Sequence, residues 1–319
     1  MIVNPVSGTD IRRATSTAGF IDLMQKARIV KSILKGIEAV GVDEVLIMPD
    51  FYGVAAHALW DLPQLSLKWD FIDMKPKGDY TDTLNAVKEM VRENVGSIVI
   101  LGGDGTVRVA SKASGDTPLL PISTGTNNVI PYFIDGTLAG IAAAAVANGL
   151  VSDATYRLKR ILLIMNGEVV DQALVDLGAT LYPFRGARAV IDPRLVTEVF
   201  ISLVKPLSIG LASIGIALRP NGIPNDVILH VITGSRFSVK VVLMPGYVVN
   251  MGIDKVEELK LGVKVPIGRA YTIELDGERE VEVFDGDVVE VMADGKGPII
   301  IDVGRAIQEL FLRQCLNCP

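Results

Sequence analysis

The stretch 97–101 (Ser-Ile-Val-Ile-Leu) runs without a break into Gly102-Gly103-Asp104-Gly105-Thr106. A short apolar run of this kind fits a strand buried on both faces, as strands are in a parallel sheet covered by helices. Three glycines in five positions let backbone amides approach an anion with no Cβ in the way. The helix expected behind them offers its positive end to a phosphate. A strand–turn–helix unit of this type commits the chain to an α/β layer with right-handed crossovers.

The residues around it agree. A very short strand is expected at 2–4, followed by the turn Pro5-Val6-Ser7-Gly8. Val30, Ile33, Leu34, Ile37 and Val40 repeat at helical spacing up to Gly41, which reads as a stop. Strands are expected at 45–48, 65–71 and 118–122. Asp82 is placed to cap a helix carrying Leu84, Val87 and Val91, and the alanine-rich stretch 134–149 reads as a further helix. Beyond Tyr156 the helical period fades and hairpin signals replace it. Asn166-Gly167 separates two apolar runs, the signature of a two-residue turn. Asp276-Gly277, Asp285-Gly286 and Asp294-Gly295 recur every nine residues, which suggests a β-meander. One helix is expected within 185–203, and 303–316 returns to helical spacing. The fold expected is a Rossmann-like parallel α/β domain over 1–153 followed by a mostly-β sandwich over 154–300. A C-terminal helical segment, 301–319, should then pack back on the first domain.

Composition narrows the function. The 319-residue chain carries a net charge of −6 and has no cluster of basic residues, so a phosphate-backbone footprint and a nucleic-acid partner are not expected. Mean hydropathy is high, at +0.39, but the most apolar long stretch, 199–218, is broken by Lys205-Pro206. No membrane span is expected, and without a basic, apolar leader at the start the chain reads as cytoplasmic. Its two cysteines, Cys315 and Cys318, make one C-x-x-C pair, too little to argue for zinc or redox chemistry. His57 and His230 are expected to be surface or packing residues.

Chemistry is expected where parallel strands end. At Gly102–Thr106 a carboxylate among phosphate-binding amides would oppose a phosphate. Asp104 therefore needs a proton, a hydroxyl or a cation as partner, which suits a general base or a magnesium ligand. The next expected strand leads into Ser123-Thr124-Gly125-Thr126-Asn127-Asn128, whose hydroxyls and amides suit ribose or phosphate oxygens. The simpler alternatives are ordinary turns at both places, capping at Asp82-Thr83, and one of three like hairpin turns at Asp276-Gly277.

Gly102–Thr106 resembles the GGDGT signature of the superfamily of NAD kinases, diacylglycerol kinases and sphingosine kinases. Asn4-Pro5-Val6-Ser7-Gly8 is similar to that group's N-P-x-S-G turn, and Asp276-Gly277-Glu278 to its D-G-E element. Within the superfamily the chain looks like the branch of acetoin-catabolism protein X. That likeness rests on 125–131, the segment 184–189 (Phe-Arg-Gly-Ala-Arg-Ala), 209–214, Met244-Pro245-Gly246-Tyr247 and 275–280. The resemblance implies an ATP-dependent kinase that moves phosphate to a hydroxyl of NAD or a related small metabolite, with Mg²⁺ bridging the phosphates. It implies Asp104 and Glu278 as catalytic acids, Glu278 arriving from the β domain to face Asp104 across a cleft. It also implies a nucleotide site formed by Asn4, Ser7, Gly8, Thr83, Gly102, Gly103, Gly105, Thr106, Gly125, Thr126, Asn127 and Asn128, and a possible homo-oligomer. The N-E pair of NAD kinases and the N-D pair of lipid kinases are both replaced by Asn127-Asn128, which leaves the acceptor open. A nucleotide-binding sensor without catalysis, a lipid or polyol kinase, and a hydrolase or transferase using Asp104 and Glu278 as a carboxylate pair are the alternatives.

Overall fold

The computed structural model describes residues 1–7, 21–62, 64–125, 128–182 and 192–316. In the first half, β1 (Ile2–Val3), β2 (Glu44–Ile47), β3 (Lys68–Phe71), β4 (Ile98–Gly102) and β5 (Leu119–Ser123) alternate with helices. These are α1 (Leu23–Val40), α2 (Val54–Trp60), α3 (Tyr80–Arg92) and α4 (Asp104–Ser111), and α5 (Gly136–Ala147) follows. All five residues of β4 are buried, and it pairs in parallel with both β1 and β5, as its unbroken apolar run requires.

Helix α1 opens on a capping box between Asp22 and Gln25 and ends at Gly41 with φ 83°, a left-handed stop that glycine adopts without strain. Its apolar stripe packs on α5, and the two backbones nearly touch. A Cβ on Gly140 would lie 2.1 Å from the Ile33 carbonyl oxygen, and one on Gly36 would lie 2.1 Å from that of Thr137.

The second half contains β6 (Thr155–Arg157), β7 (Arg160–Met165), β8 (Glu168–Ala173), β9 (Asp176–Thr180), β10 (Val196–Ile201) and the short helix α6 (Ala212–Leu218). Next come β11 (Val227–Met244), β12 (Tyr247–Lys260), β13 (Lys264–Pro266), β14 (Thr272–Leu275), β15 (Glu278–Glu282), β16 (Val289–Asp294) and β17 (Ile299–Ile301), with α7 (Val303–Leu316) last. A six-stranded sheet, β12-β11-β10-β9-β14-β15, faces a four-stranded one, β13-β16-β7-β8. Leu163 and Val291 of the smaller sheet share one core with Leu177, Phe200 and Ile273 of the larger, which makes the pair a sandwich. The chain then comes back. β17 inserts between β5 and β6 in the order β1-β4-β5-β17-β6, and Val303 and Ala306 of α7 join the core beneath α1 and α5. Among the described residues no helix is long and apolar enough to cross a membrane.

Several expectations are corrected. The cap of α3 is Asp79, which accepts the Thr81 amide, whereas Asp82 lies inside the first turn and accepts the amides of Lys77 and Gly78. The evenly spaced Asp-Gly pairs do not form a meander. Asp276-Gly277 joins β14 to its neighbour β15, but Asp285-Gly286 carries the chain into the other sheet, and Asp294-Gly295 carries it on to β17 in the parallel sheet. Sequence spacing reports that a turn exists but not which partner the next strand will find. Of the helix expected within 185–203, residues up to 191 lie outside the described residues, Pro193–Leu195 form a single 3₁₀ turn, and 196–201 are strand β10. That run is rich in β-branched residues and pairs on both edges, which favours a strand. The helix α2 was not foreseen, its seven residues being too few to establish a period.

Candidate functional site

The turn after β4 is built around its glycines. A Cβ on Gly102 would fall 2.7 Å from the Thr106 hydroxyl oxygen, one on Gly103 2.9 Å from Asn128 Oδ1, and one on Gly105 3.0 Å from the carboxyl carbon of Glu278. Each missing side chain is thus replaced by a neighbour from a different place: the helix that follows, the loop after β5, and the six-stranded sheet of the sandwich. Gly103 and Gly105 stay half-buried, whereas Gly102, Asp104 and Thr106 are buried.

Asp104 is the first residue of α4. Its two carboxylate oxygens accept the backbone amides of Val129 and Ile130, each at 2.8 Å. The side chain therefore fastens the turn after β4 to the loop after β5, and at 6% exposure it faces that loop more than open space. Asn128 completes the link: its Oδ1 accepts the Asp104 amide at 3.4 Å and its Nδ2 donates to Ser123 Oγ at 2.8 Å.

The turn after β1 closes the other side. Asn4 Nδ2 donates to Thr106 Oγ1 at 2.9 Å, and the Ser7 and Thr124 hydroxyls meet at 2.5 Å. Beneath this turn lies Lys26 of α1, only 1% exposed. Its ammonium donates to the carbonyls of Pro5 and, at 2.9 Å, of Ser7. This residue escaped the sequence reading because a lysine inside a helical pattern signals a solvated face. Only its burial reveals the role.

Glu278 reaches the site from the start of β15. Besides the contact at Gly105, its carboxylate lies 3.9 Å from the guanidinium of Arg108, which is buried in α4 and also pairs with Asp171 of β8 at 3.1 Å. Arg108 thus ties the glycine-turn helix to both sheets of the sandwich. Lys205, on the loop after β10, comes over the same loop that Asp104 holds. Its ammonium donates to the Ile130 carbonyl at 3.3 Å and lies 5.0 Å from the Tyr132 ring centre. Burial lowers its proton affinity, and the nearby charges of Asp104 and Asp302 oppose that shift. No sequence signal marks Lys205, which lies in an apolar stretch beside a proline.

Behind the turn the sandwich gathers buried acids. The Asp276 carboxylate accepts the amides of Leu174, Val175 and Asp176 at 3.0, 2.7 and 3.2 Å. Burial is the main reason that its pKa is pushed up to about 7. Asp104 adds to the shift, while Arg108 and the backbone amides work against it. Asp176 is raised well above the usual aspartate range, first by burial and then by the charges of Asp276, Glu274 and Asp104. Its Oδ1 has no hydrogen-bond partner among the described residues. Asp276 itself takes the left-handed conformation, φ 50°, so the Asp276-Gly277 turn aims the next residue, Glu278, at the glycine turn.

Of the expected site residues, the structure brings together Asn4, Ser7, Gly102, Gly103, Asp104, Gly105, Thr106, Asn128 and Glu278, with Gly125 joined through its carbonyl to Ser123 Oγ at 2.9 Å. Thr83 is buried within α3, in a helix whose start is organised by Asp79 and Asp82. Gly8, Thr126, Asn127 and the segment 184–189 lie outside the described residues. Both histidines are placed as expected. His57 is exposed on α2, and His230 is buried, stacked on Phe200 at 4.3 Å and bonded to Glu198 at 2.8 Å.

Residues 61–151 match the model of the ATP-NAD kinase N-terminal domain, and residues 159–296 match that of the acetoin catabolism protein X C-terminal domain. An acetoin catabolism protein X from Cupriavidus necator is 30% identical over 325 aligned positions, covering 97% of this chain and 90% of that protein. An uncharacterized protein from Archaeoglobus fulgidus is 34% identical over 131 residues, 41% of this chain and 35% of that one. Among solved structures, an NAD kinase from Archaeoglobus fulgidus in complex with ATP overlaps 85% of this chain and 97% of its own, at 15% identity and a TM-score of 0.40. That overlap is too loose to support an argument. The sequence identity, sustained over almost the whole of both chains, is not: the chain belongs to the family of acetoin catabolism protein X.

Proposed function

We propose that the glycine turn binds the polyphosphate of a nucleotide and that the protein transfers its terminal phosphoryl group to a hydroxyl of NAD or another small metabolite. The observation that carries this reading is the meeting of Glu278 with Gly105. An acid from the sandwich is held against the half-open backbone of a glycine turn in the other half of the chain. A glycine turn with open amides and a carboxylate held beside it are the parts that transfer to an alcohol requires. The acceptor oxygen attacks the terminal phosphorus, the bond to the bridging oxygen breaks toward the nucleoside diphosphate, and the hydroxyl proton passes to a carboxylate. Glu278, about one-third exposed, is assigned that proton. Asp104 is assigned the positioning of both loops through Val129 and Ile130.

A cradle that added Cβ atoms would fill suits a nucleotide polyphosphate. Magnesium, which such chemistry uses to neutralise charge between phosphates, suits the site only as an ion brought in by the nucleotide. Among the described residues no three acidic, histidine or cysteine side chains are grouped to hold a metal, and Mg²⁺ commonly takes most of its oxygens from phosphates and water.

A second reading, a nucleotide-binding sensor without turnover, is favoured by the engagement of both Asp104 oxygens with backbone amides. Incubation with γ-labelled ATP and a panel of NAD, sugars, polyols and lipids separates the two. The kinase reading expects label on one acceptor class and its loss in Glu278→Gln with ATP binding retained. Tight ATP binding with no label transferred to any acceptor would leave the sensor.

A further inference from the structure

Two large aromatic side chains stand in solvent on a turn tied by hydrogen bonds to one carboxylate. Phe51 is 67% and Tyr52 56% exposed, and their rings meet edge to face at 5.7 Å. The turn beneath them has little slack. The Asp50 carboxylate accepts the amides of Tyr52, Val54 and Ala55 at 3.0–3.1 Å, and Gly53 closes the turn with φ 67°. Two adjacent rings exposed to water gain little packing from the fold, so such a patch points to something that covers it.

Its position in the sheet indicates what that is. The Met1 nitrogen donates to the Leu46 carbonyl and the Met48 amide donates to the Met1 carbonyl at 2.9 Å, so β2 runs beside β1 in the parallel sense, and β1 is parallel to β4. Loops leaving the carboxyl ends of parallel strands share one rim. Along that rim lie the 50–53 turn after β2, the 4–7 turn after β1 and the glycine turn after β4, the last two joined by the Asn4–Thr106 bond. The ends of β2 and β4 are two strand spacings apart, about 10 Å. A nucleotide with its phosphates on the glycine turn and its body laid along the rim past β1 would bring its base to Phe51 and Tyr52.

The geometry points to Phe51 and Tyr52 as the platform on which that nucleotide's base stacks. The inference rests on the polyphosphate reading above and adds the other end of the ligand. Every base offers a π-face, so an aromatic platform is tolerant of base identity. ATP and GTP are expected to bind with similar affinity, and inorganic tripolyphosphate, which has no base, much more weakly.

Calorimetry on the full chain with ATP, GTP and tripolyphosphate tests this. The variants are wild type, the double variant Phe51→Ala/Tyr52→Ala, the rescue variant Phe51→Trp, and Trp60→Ala, which removes an 86% exposed aromatic at the other end of α2. The double variant should bind ATP roughly ten- to a hundred-fold more weakly with tripolyphosphate affinity unchanged. Phe51→Trp and Trp60→Ala should match wild type. Unchanged ATP affinity in the double variant overturns the platform and leaves the phosphate site standing. Equal loss of tripolyphosphate also overturns it, by showing that the turn acts through the fold. Failure of wild type to bind either ATP or tripolyphosphate removes the phosphate reading itself, and the platform with it.

Discussion

The carboxyl carbon of Glu278 lies 3.0 Å from the place where a Cβ on Gly105 would stand. The two residues are far apart in sequence and in different halves of the fold, yet one has no side chain where the other places its acid. Gly105→Ala asks only that the flexible end of Glu278 move by a few tenths of an ångström. The expected stability change is therefore small, about 1 kcal/mol or less, while phosphoryl transfer should fall at least roughly ten-fold as the acid is displaced. Denaturant midpoints and labelled-ATP assays on one preparation measure both; a large loss of stability with unchanged transfer would separate this contact from function.

Gly36→Ala should behave in the opposite way. Its Cβ would lie 2.1 Å from the Thr137 carbonyl oxygen, and backbone does not yield as a side-chain tip does. Helices α1 and α5 must part, at an expected loss of about 3 kcal/mol. Thermal melts of the two glycine variants side by side read the contrast directly.

Lys26→Met keeps the length of the side chain and removes the ammonium, leaving buried carbonyls of the 4–7 turn without their donor. An expected loss of about 3 kcal/mol follows, with weaker nucleotide binding because Asn4 and Ser7 are no longer held. Urea titration checks the first effect and calorimetry with ATP the second; a variant as stable as wild type would show that the buried charge is not a fastening.

Stability should also depend on pH through Asp176 and Asp276. Both carboxyls hold their protons to higher pH in the fold than the ordinary aspartate value of about 3.9, and for Asp276 the folded value is about 7. Between those values the unfolded chain binds fewer protons than the folded one. Stability therefore falls as pH rises from about 4 to about 7, and the Asp276 contribution levels off above that. The contribution of Asp176 has the same sign. Asp176→Asn removes one of the two titrations without adding charge, so its melting temperature should decline less steeply than that of wild type over this interval. Parallel declines would contradict the assignment.

Much of this was legible in the sequence where local pattern and environment agree. The apolar run before Gly102 announced a doubly buried strand, Asn166-Gly167 gave a true hairpin with φ values of 53° and 89°, and Gly41 ended α1. The glycine turn and the D-G-E element were readable as motifs, and the fold places Glu278 and Gly105 in contact. What stayed hidden was decided by tertiary structure. Lys26 looks like a surface residue until the 4–7 turn closes over it, and Lys205 becomes a site residue only when the loop after β10 folds onto Ile130. The Asp-Gly pairs at 285 and 294 looked like hairpins because spacing is blind to a change of sheet. The engagement of Asp104 with the amides of Val129 and Ile130 was also beyond reach, since those partners lie twenty-five or more residues away.

The most direct measurement is a crystal structure with a non-hydrolysable ATP analogue. The account predicts the terminal phosphates against the amides of residues 103–106, the terminal phosphorus facing the Glu278 carboxylate, and Asp104 still bonded to Val129 and Ile130. A nucleotide seated elsewhere, with Asn128 and Glu278 still closed over an empty glycine turn, would contradict it.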